Sequence, residues 1–262
     1  MVETPCWQRR RARRGRTKRW AVQRDSKGII PESDISTPEL PWDLRRWTPQ
    51  QVIELLEPLV GEPRRARLRA VLRQRLESVV VMMDAPHDPH NAAAVLRSCD
   101  AFGVQELHVV PREEEFQAGA AVSKGTERWV DVICHDEPGA AVAAMKRRRF
   151  EIVAAHPEGS LVPKQLAQVP RLALLLGNEH DGIREQLRCA AAATVRIPMR
   201  GFVESLNVSV SAAILLAAAT EGRSGDLQPA AFRLQYARGL FRSVVRAAQI
   251  LDASQPPGAP SE

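Results

Sequence analysis

Three short segments concentrate the side chains able to do chemistry. The first runs Asp84-Ala-Pro-His-Asp-Pro-His-Asn91, with Arg97 following within two turns of an expected helix. The second is Gly177-Asn-Glu-His-Asp-Gly182, and the third is Ile197-Pro-Met-Arg-Gly-Phe-Val-Glu-Ser-Leu-Asn207. Glycine lets a backbone come close to a ligand, and a helix starting just beyond offers unpaired N–H groups, so such segments suit a bound nucleotide or anion. Familiar signatures are missing. No G-x-x-x-x-G-K-[ST] occurs and no G-x-G-x-x-G follows the first apolar run, which removes the usual phosphate-loop and dinucleotide readings. Without a G-x-S-x-G elbow, Ser205 is not placed as a hydrolase nucleophile. His87, His90 and Cys99 match no zinc spacing and lack a second Cys/His pair, so no metal is expected.

The elements that must carry these segments follow from periodicity. After Ser78, short β-branched runs alternate with amphipathic stretches. Strands are expected at Val79–Met83, Glu106–Val110, Val130–Cys134, Glu151–Ala155, Leu172–Leu176 and Thr194–Ile197. Helices are expected at Asn91–Phe102, Pro138–Arg148, Ile183–Ala191 and Asn207–Thr220. Continuously apolar strands separated by helices indicate an α/β fold, a mostly parallel sheet covered on both faces. In such sheets ligands bind where strands end at their carboxyl edge, and each of the three segments directly follows a strand. Ahead of this core, Thr48 reads as an N-cap with Pro49 at N1, and a second helix follows Pro63. In that helix Leu68, Val71, Leu72 and Leu76 recur at helical spacing beside a stripe of Arg65, Arg69 and Arg73. The stripe reads either as an RNA contact or as a solvated face. A final helix is expected from Pro229 to Leu251. The chain therefore divides into a basic, largely disordered arm (1–46), N-terminal helices (47–78), a core domain (79–221), and a C-terminal helix with a loose tail (222–262).

Charge is distributed unevenly. The net charge is +6, yet residues 1–24 hold nine Lys/Arg and one acid, leaving a net of −2 for the remaining 238 residues. A cationic arm on a nearly neutral body suits a polyanion, because each neutralised phosphate releases counterions; a solvated leader is the other reading. The four cysteines form no C-x-x-C pair and read as core thiols of a reducing compartment. The longest apolar run, Ala212–Ala219, is too short to cross a bilayer, so a cytoplasmic protein without a membrane segment is expected.

Taken together, the three segments resemble those of the TrmH-like (SpoU) family in the SPOUT superfamily of RNA methyltransferases. The matching pieces are His87–Asn91 with Leu96–Gly103, then Leu175–Gly182, then Ile197–Val210, in the family's order. The resemblance covers residues 64–221. It implies an α/β SPOUT fold whose C-terminal part passes through a loop to make a trefoil knot, and it implies a homodimer. It further implies S-adenosylmethionine as cofactor, held around Ala155, Gly177, Ile197, Met199 and Leu206. The catalytic positions carried over are Asn91, Arg97, Glu179, Ser205 and Asn207. Asn91 would orient Arg97, and Arg97 would bind the adjacent phosphate and stabilise the developing alkoxide, since a guanidinium is a poor base. The segment Ser123-Lys124-Gly-Thr126 also resembles its family counterpart, and reads as a phosphate-binding loop or as an ordinary glycine turn. The implied activity is methylation of a ribose 2'-hydroxyl in structured RNA. Helices flanking the catalytic domain, in place of a separate folded RNA-binding domain, favour a guanosine in the tRNA D-loop over ribosomal RNA. A non-catalytic RNA-binding protein with the same fold is the competing reading.

Overall fold

The computed structural model describes residues 42, 46–111, 129–178 and 180–254. Its centre is a sheet of six strands in the order β3-β2-β1-β5-β4-β6, with every pairing parallel. In chain order these are β1 (Leu76–Asp84), β2 (Val104–Val110), β3 (Asp131–Cys134), β4 (Glu151–Ala155), β5 (Leu172–Leu176) and β6 (Ala193–Val195). β1 and β5 lie side by side at the middle and are buried on both faces, the reason they read as unbroken apolar runs. The pleat divides them cleanly. Val79, Val81, Met83, Leu172, Leu174 and Leu176 join one core cluster, whereas Val80, Met82, Ala173 and Leu175 join the other.

The first face is covered by α3 (Pro89–Ala101) and α6 (Val208–Thr220), which supply Val95, Leu96, Leu215 and Leu216. On the second face lie α4 (Pro138–Arg147) and α5 (Glu185–Ala190). A separate helical layer is built from α1 (Pro49–Leu56), α2 (Glu62–Leu72), α7 (Pro229–Phe241) and α8 (Ala247–Ala253) around Val52, Leu56, Leu68, Tyr236 and Leu240. Thr48 caps α1 as its sequence suggests, accepting from Gln51 N in a capping box with Pro49 at N1.

Several expected boundaries move. β1 starts three residues early, because Arg75, Leu76 and Ser78 are buried against later parts of the chain. The expected helix from Pro229 to Leu251 is two helices. Ser243 Oγ donates to Gly239 O at 2.7 Å, and Arg246 adopts a left-handed φ of 63°, which ends one helix and turns the chain into the next. Trp42 is not part of a loose arm. It is buried, packs 5.7 Å from Phe241 between ring centroids, and donates its Nε1–H to Trp47 O at 3.1 Å. Its partner is at the far end of the chain, so local composition carried no sign of it. Among the described residues the free thiols are Cys99, a core residue pushed up to about 12 by burial, and the half-buried Cys134, raised for the same reason; Cys189, half-buried on α5, is disulfide-bonded and so is not the core thiol its sequence suggested. Among the described residues no helix is long and apolar enough to cross a membrane.

One feature of the carboxyl edge is unusual. β6 is paired with β4 on one side, and on its other side with Leu161 from the segment that follows β4. Leu161 N donates to Thr194 O at 2.8 Å and Arg196 N to Leu161 O at 2.9 Å, while His156 N donates to Val195 O at 2.9 Å. Residues 156–161 therefore straddle β6. Gly159 sits at the crossing, where an added Cβ would lie 2.4 Å from the Val195 carbonyl carbon.

Candidate active site

Strand register brings the three segments together. Met83 pairs with Leu176, Ala154 with Leu175, and Ala155 with Val195, so β1, β5, β4 and β6 end in one row. The residues that follow, Asp84, Gly177, His156 and Arg196, emerge side by side along roughly 15 Å of sheet edge. The order of strands reverses here: β1 runs on to β2 and β3 in one direction, and β5, β4 and β6 lie in the other. This is the crevice position at which open parallel sheets bind ligands.

Contacts between the segments hold the crevice. Asp84 is fully buried and accepts from Arg184 twice, from the backbone N at 2.6 Å and from Nε at 2.6 Å. Arg184 Nη2 continues to Val110 O at 2.8 Å, so one guanidinium ties the second segment to the ends of β1 and β2. The rings of His87 and His180 meet edge-on at 5.1 Å, joining the first and second segments. Asn207 Nδ2 donates to Asn91 Oδ1 at 2.9 Å, joining the third segment to the first. The second segment closes on itself: Asn178 Oδ1 accepts from His180 N and Asp181 N at 2.9 and 2.8 Å, and Asn178 N donates to Gly182 O at 3.1 Å. Gly177 must be glycine, since a Cβ there would lie 2.4 Å from the Gly182 carbonyl carbon. Gly182 turns the chain with a φ of 68°.

Both helices that leave the crevice are capped by side chains of the segments themselves. Asp88 accepts from His90 N at 2.8 Å at the start of α3, and Asn207 accepts from Ser209 N at 2.8 Å at the start of α6. Arg97 lies on the exposed side of α3 with no hydrogen bond or ion pair among the described residues. Asn91 meets Asn207 and not Arg97, so the expected orienting contact between Asn91 and Arg97 is replaced by a link between α3 and α6. Ser205 is exposed ahead of Asn207. Glu179 lies outside the described residues, as do Ser123 and Lys124.

The five positions expected to hold the cofactor are all half-buried at this edge. Ala155 ends β4, Gly177 follows β5, and Ile197, Met199 and Leu206 belong to the third segment. Ala155 and Ile197 pack against the core cluster of the first face. An apolar wall with a Cβ-free backbone beside it fits an adenosine held by apolar contact and main-chain hydrogen bonds. The Arg65, Arg69 and Arg73 stripe is elsewhere, on α2. Arg65 pairs with Glu62 at 2.8 Å, and Arg69 pairs with Glu57 and lies over the Tyr236 ring at 5.2 Å, while Arg73 is exposed at the helix end. Cys99 is in the core, apart from His87 and His90, and among the described residues no three His, Cys, Asp or Glu side chains cluster to hold a metal. Sequence reasoning missed Arg184 and the role of Asp84. The available signal was a carboxylate ending a wholly apolar strand, a charge that burial obliges to find a partner.

Comparison with known proteins adds to this geometry. The model of the SpoU rRNA Methylase family matches residues 78–217, which span all three segments. A tRNA (guanosine(18)-2'-O)-methyltransferase of Thermus thermophilus is 36% identical over 156 residues, 59% of this chain and 80% of that protein. The crystal structure of the A. aeolicus TrmH/SpoU tRNA modifying enzyme superposes with a TM-score of 0.62 at 28% identity, covering 71% of this chain and 98% of that one. The SpoU methyltransferase AviRb from Streptomyces viridochromogenes, solved in complex with the cofactor AdoMet, superposes with a TM-score of 0.51 at 26% identity, covering 58% and 60%. The matched region takes in the crevice and every segment that lines it, and the chain belongs to the SpoU rRNA Methylase family.

Proposed function

We propose that this protein methylates the ribose 2'-hydroxyl of a guanosine in the D-loop of tRNA, with S-adenosylmethionine as methyl donor. The observation that carries the reading is the meeting of three chemistry-bearing segments at the reversal point of the sheet, within a chain of this family. Bound there, S-adenosylmethionine supplies a methyl group on a positively charged sulfur. Ala155, Gly177, Ile197, Met199 and Leu206 hold it through apolar contact and backbone groups, excluding water from one side. Positioning alone provides much of the rate in such a transfer, because the nucleophile must lie in line with the leaving group. Arg97, exposed and without a partner among the described residues, binds the phosphate beside the target ribose and stabilises negative charge developing on its oxygen. A guanidinium offers five N–H donors and no acceptor, so the proton leaves to phosphate or water. Ser205 and Asn207, at the start of α6, donate to ribose or phosphate oxygens, and Asn91 fixes Asn207. Glu179 steadies the second segment or the ribose.

Three further readings belong to the same proposal. The straddling of β6 by residues 156–161 supports threading of the C-terminal part through a loop, a trefoil knot of a kind that chains otherwise avoid. The apolar α6 leaves Val210 and Ile214 exposed, and Phe202 and Val203 are exposed in the segment leading into it, which supports a homodimer that covers them. A tRNA substrate places the protein in the cytoplasm.

The test is incubation with labelled S-adenosylmethionine and separate tRNA and ribosomal RNA pools, followed by alkaline digestion. An alkali-resistant, labelled dinucleotide that begins with guanosine, from tRNA only, is the expected product. Label confined to ribosomal RNA moves the substrate, labelled bases change the reaction, and RNA binding without transfer leaves a non-catalytic binder.

A further inference from the structure

At the edge of the sheet opposite the candidate active site, a cleft of about 200 Å³ opens between α2, α7 and the residue that leads into β3. Arginines dominate its polar wall. Arg64 and Arg67 come from α2, Arg75 precedes β1, Arg238 is on α7 and Arg242 is at its end, against a single lining carboxylate, Asp100. Trp129 supplies an aromatic face, with the guanidinium carbons of Arg64 and Arg242 at 5.6 and 5.7 Å from its ring centroid.

Neutralisation within this wall is incomplete. Asp100 pairs with Arg75, and Asp131 pairs with Arg238. Arg64 donates from Nε to Ser243 Oγ at 3.1 Å, and neither it nor Arg67 has a carboxylate partner among the described residues. The two deepest arginines are not satisfied either. Arg75 and Arg238 are only 2% and 5% exposed, and each retains an Nε–H with no acceptor. Buried donors in folded proteins nearly always find a partner. Those two N–H groups are closed off inside the wall, so it is the exposed, uncompensated guanidinium groups of Arg64 and Arg67 that fit an occupant bringing negative charge and several acceptor oxygens. Phosphate has that chemistry, and arginine is the side chain best matched to it.

Size narrows the choice. Pockets for whole small molecules usually exceed about 300 Å³, so this one suits a single phosphodiester unit better than a free nucleotide. We infer that the cleft is a second RNA contact, gripping a backbone phosphate of the substrate at a point remote from the transferred methyl. The inference rests on the methyltransferase reading for its choice of RNA. By the rise of β1, the cleft lies about 30 Å from the cofactor crevice, with Arg97, one helical turn from the lining Asp100, between the two, so an RNA engaging all of them runs along α3 from one sheet edge to the other.

Arg64 and Arg67 are exposed, so the double variant Arg64→Gln/Arg67→Gln removes charge without opening the core. Binding of a tRNA transcript, followed across roughly 50 to 200 mM salt, is expected to weaken about 10-fold at the low end. The slope of log affinity against log salt should become shallower by about 1 to 2, as for one or two lost phosphate contacts. The KM for tRNA should rise with kcat unchanged, and both S-adenosylmethionine affinity and melting temperature should match the wild type. Arg67→Gln alone should show about half of the slope change. Unchanged affinity and slope overturn the inference. So does saturable binding of guanosine monophosphate or inorganic phosphate that the double variant loses without any loss of tRNA affinity, which would make the cleft a small-anion site. Failure of the broader reading looks different: wild-type protein would then transfer no methyl to any RNA, whatever the variants bind.

Discussion

In the proposed reaction Arg97 is the side chain that carries the chemistry, and two roles for it can be separated. A proton acceptor needs a free lone pair, which a guanidinium does not offer, whereas a charge-stabilising group needs only to be positive and in reach. Arg97→Ala is therefore expected to lower kcat by about 100- to 1000-fold, the scale of losing one oxyanion donor. Arg97→Lys should retain measurable turnover in a single-turnover methylation assay, and its complete inactivity would count against charge stabilisation. A second residue-scale feature lies away from the site, on the α4 face of β2. Arg148 pairs with Glu106, Glu106 Oε2 lies 3.1 Å from His108 Nε2, and His108 Nδ1 lies 2.8 Å from His135 Nε2. Burial would raise the Glu106 carboxyl, but the hydrogen bonds from His108 and Arg148 outweigh it and hold the group at about 2. Burial, with the nearby charges of His108 and Arg147, lowers His135 from 6.5 to about 4. The unfolded chain thus takes up a proton at His135 before the folded one does. The stabilising difference is complete above pH 6.5 and is lost progressively as pH falls toward 4. Glu106 keeps its charge through that window. Urea denaturation at both ends should find the wild type losing on the order of 2 kcal/mol more than a His135→Asn variant, after allowance for solvent screening.

Among the elements, the turn after β5 is the most constrained. Its glycine faces the Gly182 backbone so closely that Gly177→Ala must push the two sides of the turn apart. Calorimetry with S-adenosylmethionine should record an affinity loss of at least about 10-fold for that variant, because the main-chain groups of the turn would no longer face the cofactor. The same turn is anchored by the buried Asp84–Arg184 pair. Asp84→Ala leaves Arg184 reaching into the protein without its counter-charge, and a loss of about 3 kcal/mol in unfolding free energy is expected from chemical denaturation. Equal stability of variant and parent would mean the tie is dispensable. Periodicity gave the types of these elements correctly, because apolar spacing is a local property; their ends shifted wherever a distant partner paid for extra order, as Asp226 does by accepting from Glu77 N and Ser78 N near the start of β1.

On the scale of the whole molecule, α6 is apolar nearly all round, as a helix covered on more than one side would be. Ala212, Leu215, Leu216 and Ala219 fill the core, yet Val210 and Ile214 remain 45% and 37% exposed, and Phe202, in the segment leading into the helix, is fully exposed. A second copy across this face would bury them next to the crevice. If the proposed dimer forms there, the parent should run as a dimer in light scattering and the double variant Val210→Glu/Ile214→Glu as a monomer, with most methylation lost and the melting temperature kept within a few degrees.

The amino-acid sequence by itself determined that the core is a parallel α/β sheet, that three segments follow strand ends, and that glycine, asparagine and other polar residues are concentrated in them. Those features are written in neighbouring residues: a twofold or 3.6-fold rhythm, a cap, a turn. Tertiary structure alone decided that β5 lies against β1, that residues 156–161 pass across β6, that Arg184 reaches Asp84, that Trp42 finds Phe241, and that arginines from α2, the start of β1 and α7 meet around Trp129. Each of these joins parts of the chain that no local pattern links, because burial and charge pairing reward proximity in space and place no condition on separation along the backbone.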